Sequence, residues 1–443
     1  MSMNNSAGSY SRRKPKSLDR KSGGADSLSK PVKEGRVRRY LRESDSPLRL
    51  FGACALVLVN VVRVQELHLA LVALSIGKII TALSVLLVFS TSAQKGVRSL
   101  MSFPQTKIYL GIFALAVLSV PGGVWPGRSF SYVVNVLPKM AFFYYCVVRF
   151  VQSEKDYLVL VKTFLFGVSF IALLSLFSGR ARFSAGYTYD PNDMGMVMCT
   201  AFPLVYFMRK TVTNKAMKLV WLGCVWMIFI GIMSTMSRGA FIGVCVVVPY
   251  CLLRDRDISK LKSVLLLSCV VSLFVLFAPD SYRDRVATIL EPEKDYNYTH
   301  QAGRIEVWKN GISIALENPF FGVGVQGFVA AEGQQHDLGA WKAAHNFLIQ
   351  MAAELGFGGL FLLLSLLYVC IRDARRLQNS KYMLSSGVVD VVIGLEGAIY
   401  GFIVTAMFLS HAYSGVMLFL AAQLVVLQRI SSLRTGYCKE KTC

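Results

Sequence analysis

Charged side chains are scarce: they make up 17% of the 443 residues, while hydrophobic ones make up 54%, against about 25% and 45–50% in soluble domains. That balance excludes an ordinary water-soluble globular chain and indicates a membrane protein. Acidic residues are the rarer sign, 26 against 48 Lys and Arg, leaving a formal net charge of +22. A basic excess can mark nucleic-acid binding, but here the cations lie between long apolar runs, so nucleic acid is excluded as a partner. CxxC, HExxH and carboxylate clusters with metal-ligand spacing are all missing, so neither a metal nor another cofactor is expected. The first 49 residues contain no apolar stretch, so no secretory signal peptide is expected. Nor is there an internal repeat of the kind that two-half transporters show.

Long apolar runs, by contrast, are abundant. A helix crossing a hydrocarbon core of about 30 Å needs roughly 17–25 mostly apolar residues. Twelve runs approach that size: 50–64, 69–89, 107–121, 131–150, 157–178, 193–208, 216–235, 238–253, 261–279, 345–370, 387–409 and 412–428. The third, sixth and eighth are short, as tilted or re-entrant segments would be. The expected fold is all-α and polytopic, with about 12 spans.

Charge asymmetry orients these spans, because cytoplasmic loops carry the excess of Lys and Arg. One alternate set of loops holds Lys95 and Arg98, Arg149 and Lys155, Arg209 to Lys218, Arg254 to Lys262, and Arg372 to Lys381. That set is expected to face the cytoplasm together with both termini. The other set is short and poor in cations, except for one long outer loop at 279–345 that carries nine acidic and six basic residues. Loops of that length in compact proteins are usually functional. Three regions follow: a basic tail at 1–49, expected to be disordered and to rest on anionic membrane lipid; a transmembrane domain at 50–430 including the outer loop; and a C-terminal tail at 431–443. All ten cysteines fall in spans or a cytoplasmic tail on this topology, so no disulfide is expected to hold the outer face. Cys438 and Cys443 read as free thiols or as palmitoylation sites.

Several outer-facing features carry chemistry. Ser237-Arg238-Gly239 places a cation at the outer boundary, where it meets an anionic substrate group or a phospholipid headgroup. In Gly303-Arg304-Ile305-Glu306-Val307-Trp308, residues four apart share a helical face, so Arg304 and Trp308 present a phosphate contact beside a sugar-stacking ring, or an Arg stacked on a Trp. The Gly-rich stretch 318–327 reads as a structural turn, since it lacks the strand and Lys of a P-loop. His345-Asn346, entering the tenth run, offers an imidazole that exchanges a proton near neutral pH, or a simple helix cap. Ala352 and Gly356 are expected on the face of His345, allowing another helix to pack beneath it, while Glu354 falls near the opposite face. A smaller loop contains Arg180, Arg182 and Asp190-Pro-Asn192-Asp193, which is a helix-start signal and also a set of hydrogen-bonding groups for sugar hydroxyls.

Together these residues suggest transfer chemistry on a phosphorylated, carbohydrate-like substrate. Arginines stabilise charge on a departing diphosphate and a histidine deprotonates an attacking hydroxyl. Because no nucleotide sugar is available outside the cytoplasm, the donor would arrive on a lipid.

The ordered set Ser237-Arg238-Gly239, Gly303-Arg304, Trp308, Asn318-Pro319, Gly322-Val323-Gly324, His345-Asn346 and Glu354-Leu355-Gly356 resembles the O-antigen ligase and polysaccharide polymerase superfamily of bacterial membrane glycosyltransferases. The resemblance extends to Arg63-Val64-Gln65-Glu66 and to Asp190–Asp193. It implies a membrane glycosyltransferase fold in the bacterial inner membrane, acting without metal on undecaprenyl-diphosphate-linked glycan at the periplasmic face. It also implies that Arg238 and Arg304 hold the diphosphate and that His345 activates the acceptor hydroxyl for an inverting displacement. Trp308, Asn346, Arg182, Asp190 and Asn192 are the expected substrate contacts. The acceptor is a glycan, a lipid or a protein, and other polysaccharide assembly proteins are expected partners. Ligases, repeat-unit polymerases and protein O-glycosylating enzymes share these motifs. Outside this class stand a polytopic transporter, for which Lys78 and Glu396 would be the ionisable residues within spans, and a scaffold of an export complex acting through the basic tail.

Overall fold

A computed structural model describes residues 47–89, 99–177, 189–277, 280–289, 291, 293, 300, 303–335, 341–379 and 384–441. The N-terminal tail as far as residue 46, Lys95, Arg98, Arg180, Arg182, Lys381 and Cys443 therefore lie outside the described residues.

Among the described residues every regular element is helical, and each of the twelve apolar runs coincides with helix. The chain forms α1 (Pro47–Val57), which continues as a π-helical turn over Leu58–Val62, then α2 (Leu69–Ala73), α3 (Ile76–Phe89), α4 (Pro104–Leu118), α5 (Pro126–Asn135), α6 (Leu137–Phe150) and α7 (Glu154–Phe177). It goes on through α8 (Pro191–Met208), α9 (Lys215–Ser234), α10 (Arg238–Arg254), α11 (Lys260–Phe277), α12 (Asp280–Ala287), α13 (Arg304–Glu317) and α14 (Phe328–Gln335). The last three are α15 (Phe347–Leu377), α16 (Ser386–Ala406) and α17 (Gly415–Lys441).

Six helical stretches are long and apolar enough to cross a membrane: Pro126–Phe150, which joins α5 to α6, then α7, α9, α15, α16, and Gly415–Arg434 within α17. The other runs are shorter or less apolar, for identifiable reasons. The run at 69–89 breaks where Ser75 takes a left-handed φ of 51°, which ends a helix for any residue with a Cβ. Pro203 and Pro249 sit inside α8 and α10, where each removes a backbone donor. At the two ends, α1 begins at Pro47 and α17 runs to Lys441.

The centre of the bundle is built from α8, α10 and α16, held together by small residues. A Cβ placed on Gly401 of α16 would lie 2.7 Å from the carbonyl oxygen of Cys199 on α8, and one placed on Gly195 of α8 would lie 2.6 Å from the Cβ of Ala240 on α10. Lipid tails are as apolar as Leu, so helix association in a membrane depends on such close van der Waals approach. At 1.5 Å per residue, the 18 residues of α8 span about 27 Å. Two clefts lie at opposite ends of these three helices. One holds Asn192, Arg238 and Thr405, and the other holds Arg209, Arg256 and Asp390.

The 31-residue α15 is broken rather than continuous. Gly356 has φ 68° and ψ −172°, so the expected face shared with His345 ends there, and a loop rather than a helix packs at that point. The loop is the Gly-rich turn, with Gly322 also at positive φ (64°). Its amides meet the carbonyls released by the break: Val323 N donates to Ala353 O (2.8 Å) and Gly324 N to Glu354 O (3.1 Å). In return, Phe357 N donates to Pro319 O at 2.8 Å. Backbone groups left open by a broken helix inside a membrane protein require such partners.

Candidate functional site

Three helix N-termini converge on one cleft. The first is that of α8, where Asp190 is the N-cap and accepts hydrogen bonds from Asn192 N and Asp193 N, while Asp193 accepts one from Asp190 N and closes a capping box. Asn192, in the first turn, faces the cleft. The second is that of α10, where Ser237 Oγ accepts from Ala240 N (3.3 Å) and Arg238 is the first helical residue. The third is that of α13, capped by Gly303 and begun by Arg304. A helix N-terminus carries about half a positive charge, but here the Asp190 carboxylate takes the Asn192 and Asp193 amides and Ser237 Oγ takes that of Ala240, so the arginines are the main source of positive charge.

The cleft encloses about 510 Å³ including its mouth, and Arg238, Arg285, Arg304, Asn192, Thr405 and Phe408 are among its lining residues. No carboxylate is among them. Arg238 Nη1 donates to Thr288 Oγ1 (2.8 Å), which aims the guanidinium along the edge of α12. Three guanidinium groups, carried at or near the starts of α10 and α13 and on α12, thus line one small volume, an arrangement that stabilises a multiply charged anion.

His345 lies beside this cleft. It is half-buried, with a left-handed φ of 46°, a conformation that costs a non-glycine residue of order 1–3 kcal/mol and persists where surrounding contacts hold it. One such contact is its own amide, which donates to Ser410 Oγ at 2.9 Å. Burial, and then the charge of Arg304, hold the imidazole below its ordinary pKa, while Asp190 and Asp193 act in the opposite direction. The ring is therefore neutral at pH 7 and able to accept a proton. Met236 (φ 47°), next to the Ser237 cap, is a second left-handed residue at the rim.

Trp308 stands one helical turn after Arg304. Its indole Nε1 donates to Ala344 O (3.0 Å) and its ring centroid lies 6.4 Å from that of Phe408, so it fixes the residue preceding His345. Asn346 is buried, and its Oδ1 accepts from Leu348 N and Ile349 N, which makes it the N-cap of α15. The cap is thus Asn346 and not His345. Arg182, with Arg180, falls outside the described residues.

The Gly-rich turn has no amide left for a phosphate over residues 323–326. Besides the two bonds to α15, Val325 N donates to Ser119 Oγ (3.1 Å) and Gln326 N to Glu354 Oε2 (2.9 Å). Glu354, buried below His345, also accepts from Gln350 Nε2 (3.4 Å), and Gln350 Oε1 accepts from Ala412 N (3.2 Å). This network ties the turn, α15 and the α16–α17 connection together. The Arg63 motif joins the Asp190 loop: the Arg63 guanidinium lies 4.5 Å from the ring centroid of Tyr189 and pairs with Glu66 at 3.2 Å.

Sequence reasoning overlooked Arg285 and His411. His411 Nε2 lies 2.8 Å from Asp193 Oδ1. The signal for it was a polar island, Ser410-His411-Ala412-Tyr413-Ser414, between two apolar runs. Arg285 had no local signal in a loop of mixed charge.

No curated protein matches the chain. Residues 222–364 do match the family model described as O-antigen ligase, a stretch that begins in α9 and ends in α15. That stretch contains Arg238, Arg285, Arg304 and His345 and so supplies most of the charge around the cleft, and it is this part of the membrane protein that is similar to the O-antigen ligase family.

Proposed function

We propose that the protein transfers a glycan from undecaprenyl diphosphate to an acceptor hydroxyl, without a metal, at the periplasmic face of the bacterial inner membrane, with both termini in the cytoplasm. The observation that carries this reading is the cleft lined by Arg238, Arg285 and Arg304, with a neutral His345 close enough to feel the charge of Arg304. In the proposed step, His345 takes the proton of the acceptor hydroxyl as its oxygen bonds to the anomeric carbon. The bond from that carbon to the diphosphate oxygen breaks, and the departing diphosphate carries the electron pair into the arginine cleft. Attack opposite the leaving group inverts the anomeric centre. Preorganised donors aimed at developing charge are commonly the largest catalytic contribution, and a positioned base typically adds about 10²–10⁴-fold. Asn192 lines the cleft, and it is the sugar contact in this reading together with Trp308, one turn after Arg304, and Asp190, the cap of α8; Asn346 caps α15 after His345, and Arg182 is a further contact to the substrate.

The transporter reading draws no support from its two ionisable residues. Glu396 is held by Arg375 Nε (2.8 Å), Gln378 Nε2 (2.8 Å) and Tyr250 Oη (3.0 Å), and Lys78 is exposed in the first turn of α3. The test is to express wild type, Arg238→Ala, Arg304→Ala and His345→Ala in a strain deleted for the protein, at equal membrane levels. Surface glycan and undecaprenyl-linked glycan are then profiled. Loss of surface polymer with accumulation of lipid-linked glycan is expected. Long lipid-linked chains identify a ligase, and single repeats on the acceptor identify a polymerase. Wild-type profiles from all three variants would refute the assignment.

A further inference from the structure

The second cleft lies at the far end of α8, α10 and α16 and has a different character. It spans about 1680 Å³ including open solvent, and its basic wall is formed by Arg209, Lys210, Lys215, Lys218 and Arg256. Two of these charges are already compensated: Arg209 Nη2 pairs with Asp255 at 2.5 Å, and Lys210 Nζ with Asp255 at 2.5 Å and with Asp257 at 2.9 Å. No carboxylate among the described residues lies within ion-pair distance of Lys215, Lys218 or Arg256, and all three are exposed. Lys215 and Lys218 stand in the first turn of α9, whose N-terminus is capped by Asn214 and adds its partial positive charge.

Toward its deeper end that wall becomes apolar. One turn further along α9, Leu219 and Leu222 line the same cleft and are 70% and 43% exposed. Residues four apart share a helical face, so Lys215 sits above Leu219 and Lys218 above Leu222. That face therefore passes from cations to bare leucine as α9, a helix able to span a membrane, leaves the surface and enters the hydrocarbon. A soluble anion has no use for the leucine strip, whereas a phospholipid presents a phosphate and a chain in that order.

We infer that this cleft binds the headgroup of an anionic phospholipid, with one acyl chain against Leu219 and Leu222. Basic pockets between transmembrane helices on the cytoplasmic side are suited to such headgroups. The inference rests on the chain crossing a membrane, and it is independent of the glycan transfer proposed for the opposite cleft. Asp390, on the cleft wall, opposes the anion and sets the affinity below what the cations alone would give.

The experiment uses the full chain in nanodiscs of phosphatidylcholine doped with phosphatidylglycerol, followed by extraction into detergent and measurement of retained lipid by mass spectrometry. Wild type is expected to retain phosphatidylglycerol over phosphatidylcholine. The triple variant Lys215→Gln/Lys218→Gln/Arg256→Gln is expected to lose on the order of 100-fold in that preference. Asp390→Asn is expected to increase retention, and because it restores rather than removes binding it tests the cleft even where the triple variant is poorly folded. Equal retention of the two lipids by wild type would overturn the inference, as would unchanged retention in Asp390→Asn together with Lys218→Gln. Inorganic phosphate and glycerol phosphate are run as competitors. Displacement of the lipid by either at millimolar concentration would show a site for a free anion and sink the lipid reading. Leu219→Gln/Leu222→Gln is expected to weaken lipid retention.

Discussion

His411 Nε2 lies 2.8 Å from Asp193 Oδ1, joining the short connection between α16 and α17 to the first turn of α8. The other carboxylate oxygen of Asp193 accepts from Asp190 N and completes the capping box. One aspartate thus anchors a helix start and a distant loop together. His411→Ala is expected to cost about 1 kcal/mol of stability, the net value of a hydrogen bond, while Asp193→Ala, which removes the cap as well, is expected to cost about twice that. Thermal unfolding of the purified variants in detergent measures both.

The protonation of His345 gives a pH signature. Its pKa is depressed by burial and by Arg304, with Lys342 acting in the same direction. As a base it is neutral at pH 7, and activity is expected to persist as pH falls through the ordinary histidine range near 6.5 and to be lost only below it. Lys342→Gln removes one of the positive charges that depress the pKa, so the acid limb of the pH–rate profile is expected to move toward higher pH. An unmoved limb would show that another group governs it.

Gly322 and Gly356 interlock at positive φ. A Cβ on Gly322 would lie 2.3 Å from the carbonyl carbon of Glu354, and one on Gly356 would lie 2.5 Å from Pro319 O. Each alanine substitution therefore combines a left-handed backbone with a clash against main chain that has no rotamer to yield. Gly322→Ala and Gly356→Ala are each expected to destabilise by about 2–4 kcal/mol, read as reduced membrane level or lower thermal midpoint. Gly223→Ala is the control, since its Cβ would meet nothing within 4 Å.

Trp308 acts through the carbonyl of Ala344. Trp308→Phe keeps an aromatic ring for stacking but deletes the 3.0 Å hydrogen bond. If the indole serves to place His345, kcat is expected to fall about 10-fold with KM little changed. A rise in KM with unchanged kcat would assign the ring to sugar binding instead.

Much of the helical layout was legible because apolar run length reports directly on helices in lipid. All twelve runs are helical, yet the breaks inside them were hidden. Ser75 and Gly356 interrupt otherwise uniform apolar pattern, and hydropathy does not register a single residue turning left-handed. Arg238 stood out because positive charge is disfavoured at the boundary where the expected topology put it, with a substrate anion and a lipid headgroup as equal explanations. Its meeting with Asn192, Arg304 and Phe408 was not readable, since these residues come from three helices and the connection after α16, whose register is set by small contacts such as Gly401 against Cys199. The Gly-rich turn shows the opposite limit: its composition was visible, but only the geometry reveals that amides 323–326 are all spent within the protein.

The interruption of α15 at Gly356 divides that helix into two mechanical parts. The segment after it, 21 residues to Leu377, is about 32 Å long and sufficient on its own to cross the hydrocarbon. The nine helical residues before it, Phe347 to Leu355, follow the Asn346 cap and are held to the 318–327 turn through the hydrogen bonds around Glu354, while the His345 amide bonds Ser410. The two parts meet at a glycine whose left-handed backbone turns the chain, so the histidine is seated on the loop scaffold and not on the long helix.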